Sequence, residues 1–132
     1  MNTKEYLSQA YRIDQRINSK LAQVMSLRDL LGKATGTLSG APKAATPNPH
    51  SMEDTIAKIV DLENEINEDI DALVDRKAEI MRRIKRVENT EYQTILELRY
   101  LCFKRWEEIA VEMGYSLRRL YELHDCALKE IS

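Results

Sequence analysis

WEEIAVEMGYSLRRLYELHDCALKEI, residues 106–131, decides how the chain is read. From Trp106 to Met113 the positions Ile109, Ala110 and Met113 follow the i, i+1, i+4 pattern of one buried helix face. Gly114 follows, the residue type that takes a left-handed turn without steric penalty. Tyr115 is an apolar plug behind the turn, and Ser116 can cap a second helix by accepting a hydrogen bond from a free backbone N–H. Along that helix Leu120, Leu123, Ala127 and Leu128 share one face, with His124 on the same side as a core histidine. Leu117, Arg118, Tyr121, Glu122 and Asp125 point elsewhere, and Arg119 lies near the border. Ala110 is small where the two helices must cross. The combination suits a helix-turn-helix, in which the second helix enters the major groove of a duplex and the first steadies it from behind. Two ordinary helices closing a bundle would carry much of the same pattern.

Working upstream, Asn89 and Thr90 interrupt an earlier helix, and Thr90 with Gln93 reads as the capping box of a new one. Ile95, Leu96, Leu98 and Leu101 give that helix an apolar face, so it forms the third wall of a small domain over residues 89–132. Tyr100, Phe103 and Trp106 read as core side chains rather than stacking platforms for bases.

The stretch ILELRYLCFKRWEEIAVEMGYSLRRLYELHDCALKEI, residues 95–131, resembles the promoter-binding region 4 of the bacterial sigma-70 family, and more closely small phage and prophage transcriptional regulators built on that module. Leu96, Leu98, Arg99, Tyr100, Trp106, Ile109, Ala110, Gly114, Ser116, Leu120, His124, Ala127 and Leu128 carry the resemblance. It implies double-stranded DNA as the ligand, with Leu117, Arg118, Arg119, Tyr121 and Glu122 as the base-reading residues, and bacterial RNA polymerase as a partner. The family usually places a charged or polar residue where Leu117 stands and often a basic one where Tyr121 stands, so its base preference does not carry over. The chain is too short for the other sigma-factor regions, and the expectation is a stand-alone regulator.

Two long helices precede this domain. Asn2 with Glu5 marks the first start, and Tyr6, Ala10, Ile13, Ile17, Lys20, Val24, Leu27 and Leu31 alternate spacings of four and three until Gly32, giving a helix over about 3–31. Residues 32–51 are rich in glycine and proline and poor in large apolar side chains, which predicts a flexible link. A second helix over about 52–88 carries Met52, Ile56, Ile59, Glu63, Ile66, Ile70, Leu73, Lys77, Ile80, Ile84 and Val87 at the same spacing. Matching seams predict an antiparallel, coiled-coil-like hairpin over residues 1–88, with Lys20 and Glu63 as paired polar interruptions that set the register. Val60, Leu62 and Val74 widen the stripe beyond one seam, so a second copy, in a dimer, or else the C-terminal domain is expected to cover part of it, with self-association favoured. The fold class is therefore all-α, a long hairpin followed by a three-helix helix-turn-helix domain.

Charge is unevenly placed. Residues 52–75 hold nine acidic groups and one basic, whereas residues 76–88 hold six basic and two acidic, an order that suits the helix macrodipole. Arg82, Arg83, Lys85 and Arg86 stand just before the helix-turn-helix and are candidate phosphate contacts. Ser116, Lys104 and Arg105 are the others, and Lys104, Arg105, Arg118 and Arg119 can form one positive face. Against this, residues 89–132 hold six basic and eight acidic groups, and the whole chain is −2, without the basic surplus usual for nucleic-acid binding.

Other function classes have less support. No nucleophile is paired with a base, no glycine loop could cradle a phosphate, and no metal-ligand cluster occurs, so neither an enzyme, a cofactor nor a metal is expected. Cys102 and Cys126 lack a CxxC spacing and read as small buried side chains in a reducing cytoplasm. No run is apolar enough to span a bilayer and no signal sequence opens the chain, so a cytoplasmic protein of a bacterial host, away from membranes, is expected. The leading expectation is a phage or prophage-type DNA-binding transcription regulator. The alternatives are a phage assembly component such as a small packaging-terminase subunit, and a protein-interaction module without DNA binding.

Overall fold

The computed structural model describes residues 1–38 and 49–132, with side chains at 1–33 and 52–132. The described residues form an all-α chain of six helices: α1 (Thr3–Leu7), α2 (Gln9–Leu38), α3 (Pro49–Ile84), α4 (Thr90–Tyr100), α5 (Trp106–Met113) and α6 (Leu117–Ile131). They make the expected helical hairpin and the expected helix-turn-helix.

Several boundaries differ from expectation. Asn2 does cap the first helix, its side-chain oxygen accepting from the Glu5 N–H at 2.8 Å. The single helix expected over 3–31 is interrupted at Ser8, whose hydroxyl donates to the Lys4 carbonyl at 2.8 Å, a local bond that bends helices. Gly32 does not end α2, which runs on to Leu38, because a helix tolerates a mid-chain glycine at a cost of about 1 kcal/mol. The flexible link expected over 32–51 is thus helical at 32–38 and 49–51, and residues 39–48 lie outside the described residues. At its far end α3 stops at Ile84, four residues short of Glu88. There the amides of Arg86 and Val87 turn to the carbonyls of Arg83 and Ile84, at 3.2 and 3.0 Å, which tightens the turn and seats Val87 in the core. Asn89, not Thr90, caps α4, accepting from the Glu91 and Tyr92 amides, while Gln93 donates its side-chain amide to the Ile84 carbonyl instead of closing a box.

The chain divides into two compact units whose boundaries fall inside α2 and α3: Gln15–Asp71, and Met1–Asp14 with Ala72–Ser132. The first is the hairpin. Ile17, Val24, Ile59 and Ile66 are buried along its seam. Its direction is fixed by ion pairs that run oppositely in sequence, Arg28 to Glu63 at 2.7 Å and Lys20 to Asp69 at 2.7 Å. Lys20 also reaches Glu65 at 3.4 Å, and Arg16 reaches Asp69 at 3.5 Å. The expected pairing of Lys20 with Glu63 is not formed, because Glu63 lies on the Arg28 side of the seam and Lys20 on the other. The hydrogen bond between Lys20 and Asp69 raises the Lys20 pKa and lowers that of Asp69.

The second unit has two clusters of buried side chains. Ile95, Ile109, Ala110, Leu120 and Leu123 bind α4, α5 and α6 together. Leu7, Ala10, Ile80, Ile84, Val87, Leu96, Tyr100, Ala127 and Ile131 form the other, so α1 and the adjoining turns of α2 and α3 complete the wall behind α4 and α6. Leu7, Ile80, Ile84, Ile95, Leu96, Ile109 and Leu120 are fully buried, each contributing roughly 2 kcal/mol by removal from water. The Thr3 and Ser132 hydroxyls meet at 2.8 Å.

Candidate nucleic-acid interface

The corner between α5 and α6 is built as the residues predict. Gly114 has φ 74° and ψ 29°, its N–H bonds the Val111 carbonyl at 3.3 Å, and the Tyr115 N–H bonds the Ala110 carbonyl at 3.0 Å. This two-bond closure satisfies carbonyls that the helix end would leave open. Ser116 then caps α6, its Oγ accepting from the Arg119 N–H at 3.1 Å. That hydroxyl keeps its own proton available for an outside acceptor. Tyr115 is half-buried rather than fully enclosed, and its hydroxyl donates to Glu91 at 2.6 Å, which raises the Tyr115 pKa and ties the corner to α4.

Beyond the cap, the side chains expected to read bases all face outward. Leu117 and Tyr121 are 39% and 45% exposed, and the side chains of Arg118, Arg119 and Glu122 are 92%, 59% and 54% exposed. The opposite side of α6 buries Leu120, Leu123, His124, Ala127 and Ile131, with Leu128 half-buried. Trp106 supports this surface from behind. Its ring stands edge-on to Tyr121 at 5.5 Å and to His124 at 4.5 Å, and the Arg99 guanidinium lies over it at 4.7 Å. Trp106 and Phe103 are half-buried and Tyr100 is buried, as expected of core aromatics.

His124 is held inside by a 2.7 Å hydrogen bond between its Nε2 and the Tyr100 hydroxyl. Burial pushes the His124 pKa down to about 4 and that of Tyr100 up to about 12. The pair is therefore neutral at physiological pH, a satisfied polar contact in an apolar setting.

The cations near the reading surface are occupied by carboxylates. Arg119 and Arg118 both approach Glu122, at 3.3 and 3.8 Å, and Arg105 bonds Glu108 at 3.0 Å while Lys104 bonds Glu112. These bonds raise the pKa of Lys104 and Arg105 and lower that of Glu108. The Glu108 carboxylate also accepts the Arg105 N–H at 3.3 Å, closing the start of α5.

The second basic group lies elsewhere. Arg83 and Arg86 line a cleft with Glu130, Ile131 and Ser132, at the C-terminal end of α6. Arg118 and Ile131 are separated by about 20 Å along the helix, so these cations and the reading residues are at opposite ends of it. Arg83 is half-buried with its guanidinium 4.6 Å over the Tyr6 ring, whereas Arg82, Lys85 and Arg86 are exposed and carry no ion pair among the described residues. One contributor, matched in the resemblance but given no role by it, is Arg99, which donates to the Lys104 carbonyl at 3.0 Å as well as covering Trp106, holding the turn that leads into α5. Phe103 in that turn has φ 57°, unusual for a non-glycine residue, and packs edge-on to Tyr11 with Lys77 over its ring. Cys102 and Cys126, expected to be buried, are both exposed: one lies in this turn and the other on the outer face of α6.

Among the described residues no helix is long and apolar enough to cross a membrane. A family model described as Protein of unknown function (DUF1492) matches residues 43–132. No curated protein and no solved structure matches the chain.

Proposed function

The chain belongs to the DUF1492 family, and we propose that it is a DNA-binding transcription regulator of phage or prophage type that reads duplex DNA with the N-terminal half of α6. One observation carries the reading: a tight corner at Gly114 and a capped helix start at Ser116 hold Leu117, Arg118, Arg119, Tyr121 and Glu122 outward on a closed three-helix support. A rigid helix start with exposed side chains is what a major groove accepts. The resemblance of residues 95–131 to sigma-70 region 4 supports promoter DNA as the target and bacterial RNA polymerase as a partner.

The ion pairs shape the mechanism. With Arg118 and Arg119 sharing Glu122, approach to phosphate requires that they leave that carboxylate, so free cations contribute less to affinity than a bare count implies. Direct contact with base edges then has a larger share in choosing the site, and Ser116 can donate its hydroxyl to a backbone phosphate. Arg82, Lys85 and Arg86 would meet phosphate at a distance from the groove being read, adding affinity without sequence preference.

Selection of bound duplexes from a random-sequence pool, with purified protein at about 50 mM salt, tests the reading. An enriched motif lost on Arg118→Glu with Tyr121→Ala, while helicity is kept, is the expected result. Absence of any binding at that salt would refute it. It would favour a second reading, to which the carboxylate-occupied cations already lend weight: that this surface docks a protein.

A further inference from the structure

The two open sides of the hairpin differ sharply. Seen down the antiparallel pair, the side that carries the Arg28–Glu63 ion pair also carries Leu21, Met25, Ile56, Val60 and Ile70, which are 44%, 66%, 49%, 48% and 42% exposed. On α2, Leu21 and Met25 are one turn apart and Arg28 is next; on α3, Ile56, Val60 and Glu63 repeat the spacing, with Ile70 two turns on. The other side carries Arg16, Lys20, Lys58, Asp61, Glu65 and Asp69, a charged surface on which Leu30, one turn beyond Ser26, is an isolated exposed apolar side chain. Ile56 and Ile70 were expected in the seam. The seam of α3 instead turns toward Ile59, Leu62 and Ile66, leaving those two isoleucines outside it.

We propose that this apolar side is a docking surface for a second copy of the chain, hairpin on hairpin, giving a four-helix bundle. Two features select a copy of itself over another occupant. In a two-fold interface the same surface meets itself, so any net charge on it would repel. Here the charges among the five apolar side chains are Arg28 and Glu63, already neutralised at 2.7 Å. The shape agrees as well: two parallel ridges with a shallow groove mate with an equal pair at a small crossing angle, whereas a lone helix would leave one ridge wet.

The size is adequate. The patch runs about 22 Å along helices that are about 10 Å wide each, or roughly 900 Å² in flat projection over two copies. Surface relief adds to that, bringing the contact to about the 1,000 Å² that specific interfaces need. A dissociation constant in the micromolar range is expected.

Sedimentation of the full chain without DNA tests this independently of any role in DNA binding. At about 100 µM the wild type should sediment at twice the 15.3 kDa chain mass. Met25→Glu with Val60→Glu should weaken association on the order of a hundredfold or more while circular dichroism stays helical. A second variant, Met25→Lys with Val60→Lys, should behave the same alone. An equimolar mixture of the two should regain the dimer, since opposite charges meet whichever residues face each other across the two-fold axis. Gln23→Glu with Ser26→Glu, on the charged side, should leave the dimer intact. A monomeric wild type, a dimer indifferent to the Met25 and Val60 changes, or a mixture that stays monomeric would each overturn the proposal and leave the face to another partner or to solvent.

Discussion

Acidification should unlock the support behind α6 through one residue. His124 is buried among Tyr100, Trp106 and the α6 core, and its pKa in the fold is about 4 against the usual 6.5 of a free imidazole. Burial is the main cause; Asp125 pulls the value up, and Lys4 and Arg99 push it further down. Between those two values the unfolded chain binds a proton that the folded chain refuses, so stability is present above pH 6.5 and falls as pH drops toward 4. The full gap corresponds to roughly 3 kcal/mol, and about 2 kcal/mol is expected once screening near the domain edge is allowed for. The measurement is urea unfolding followed by far-ultraviolet circular dichroism at pH 7.5 and pH 4.5, for the wild type and for His124→Gln. The variant loses stability at pH 7.5 through imperfect packing but should be flatter across the interval by about that amount. Carboxylates held low, such as Asp69 and Glu108, add a slope of the same sign at the acid end, and they contribute equally to both proteins. Parallel loss in wild type and variant between pH 7.5 and 4.5 would show that the buried imidazole is not the group responsible.

Two glycines should respond oppositely to alanine. Gly114→Ala forces a side chain into φ 74° with open space around the new Cβ, so the cost is backbone strain of about 1 to 2 kcal/mol, read as a lower thermal midpoint. Gly32→Ala, inside α2 and equally unobstructed, should stabilise by up to about 1 kcal/mol; equal effects at the two sites would contradict the turn geometry. Glu122→Gln frees Arg118 and Arg119 from their shared carboxylate and should tighten binding to duplexes of arbitrary sequence about fivefold at low salt with a steeper salt dependence, whatever base contact Glu122 makes at the preferred site. Unchanged or weaker binding would mean that these arginines do not face the duplex.

What could be read in the sequence was local. Gly114, Ser116 and the spacing of Leu120, Leu123 and Ala127 act within a turn or two of themselves, and the corner they predict is the one that forms. The seam of α2 was legible for the same reason, since Ala10, Ile13, Ile17 and Val24 are buried at the spacing in which they occur. Where a residue's fate depended on a distant partner, spacing alone misled. Lys20 had carboxylates available at several points along α3, and the side of the seam on which each fell decided for Asp69. Leu7 carried no periodic signal of importance, yet it is fully buried because the turns around it meet Ile80, Ile84 and Ile131.

The same distinction bears on the candidate interface. Exposure of Leu117, Arg118, Arg119, Tyr121 and Glu122 followed from the helix register, which the sequence carries. Availability of charge did not: Lys104 finds Glu112 eight positions on, and Arg83 is spent on the Tyr6 ring far away in sequence. A count of basic residues therefore misjudges this surface in both directions. It credits Lys104, Arg105 and Arg119 with charge that nearby carboxylates hold, and it misses that Arg82, Lys85 and Arg86 carry no ion pair among the described residues, Arg86 lining the cleft at the other end of α6. If the surface reads DNA, sequence choice and general affinity are thus carried by different cations on different elements. Substitutions at Arg118 should then alter which duplex is bound, whereas substitutions at Arg82 and Arg86 should change how salt-sensitive the binding is for any duplex.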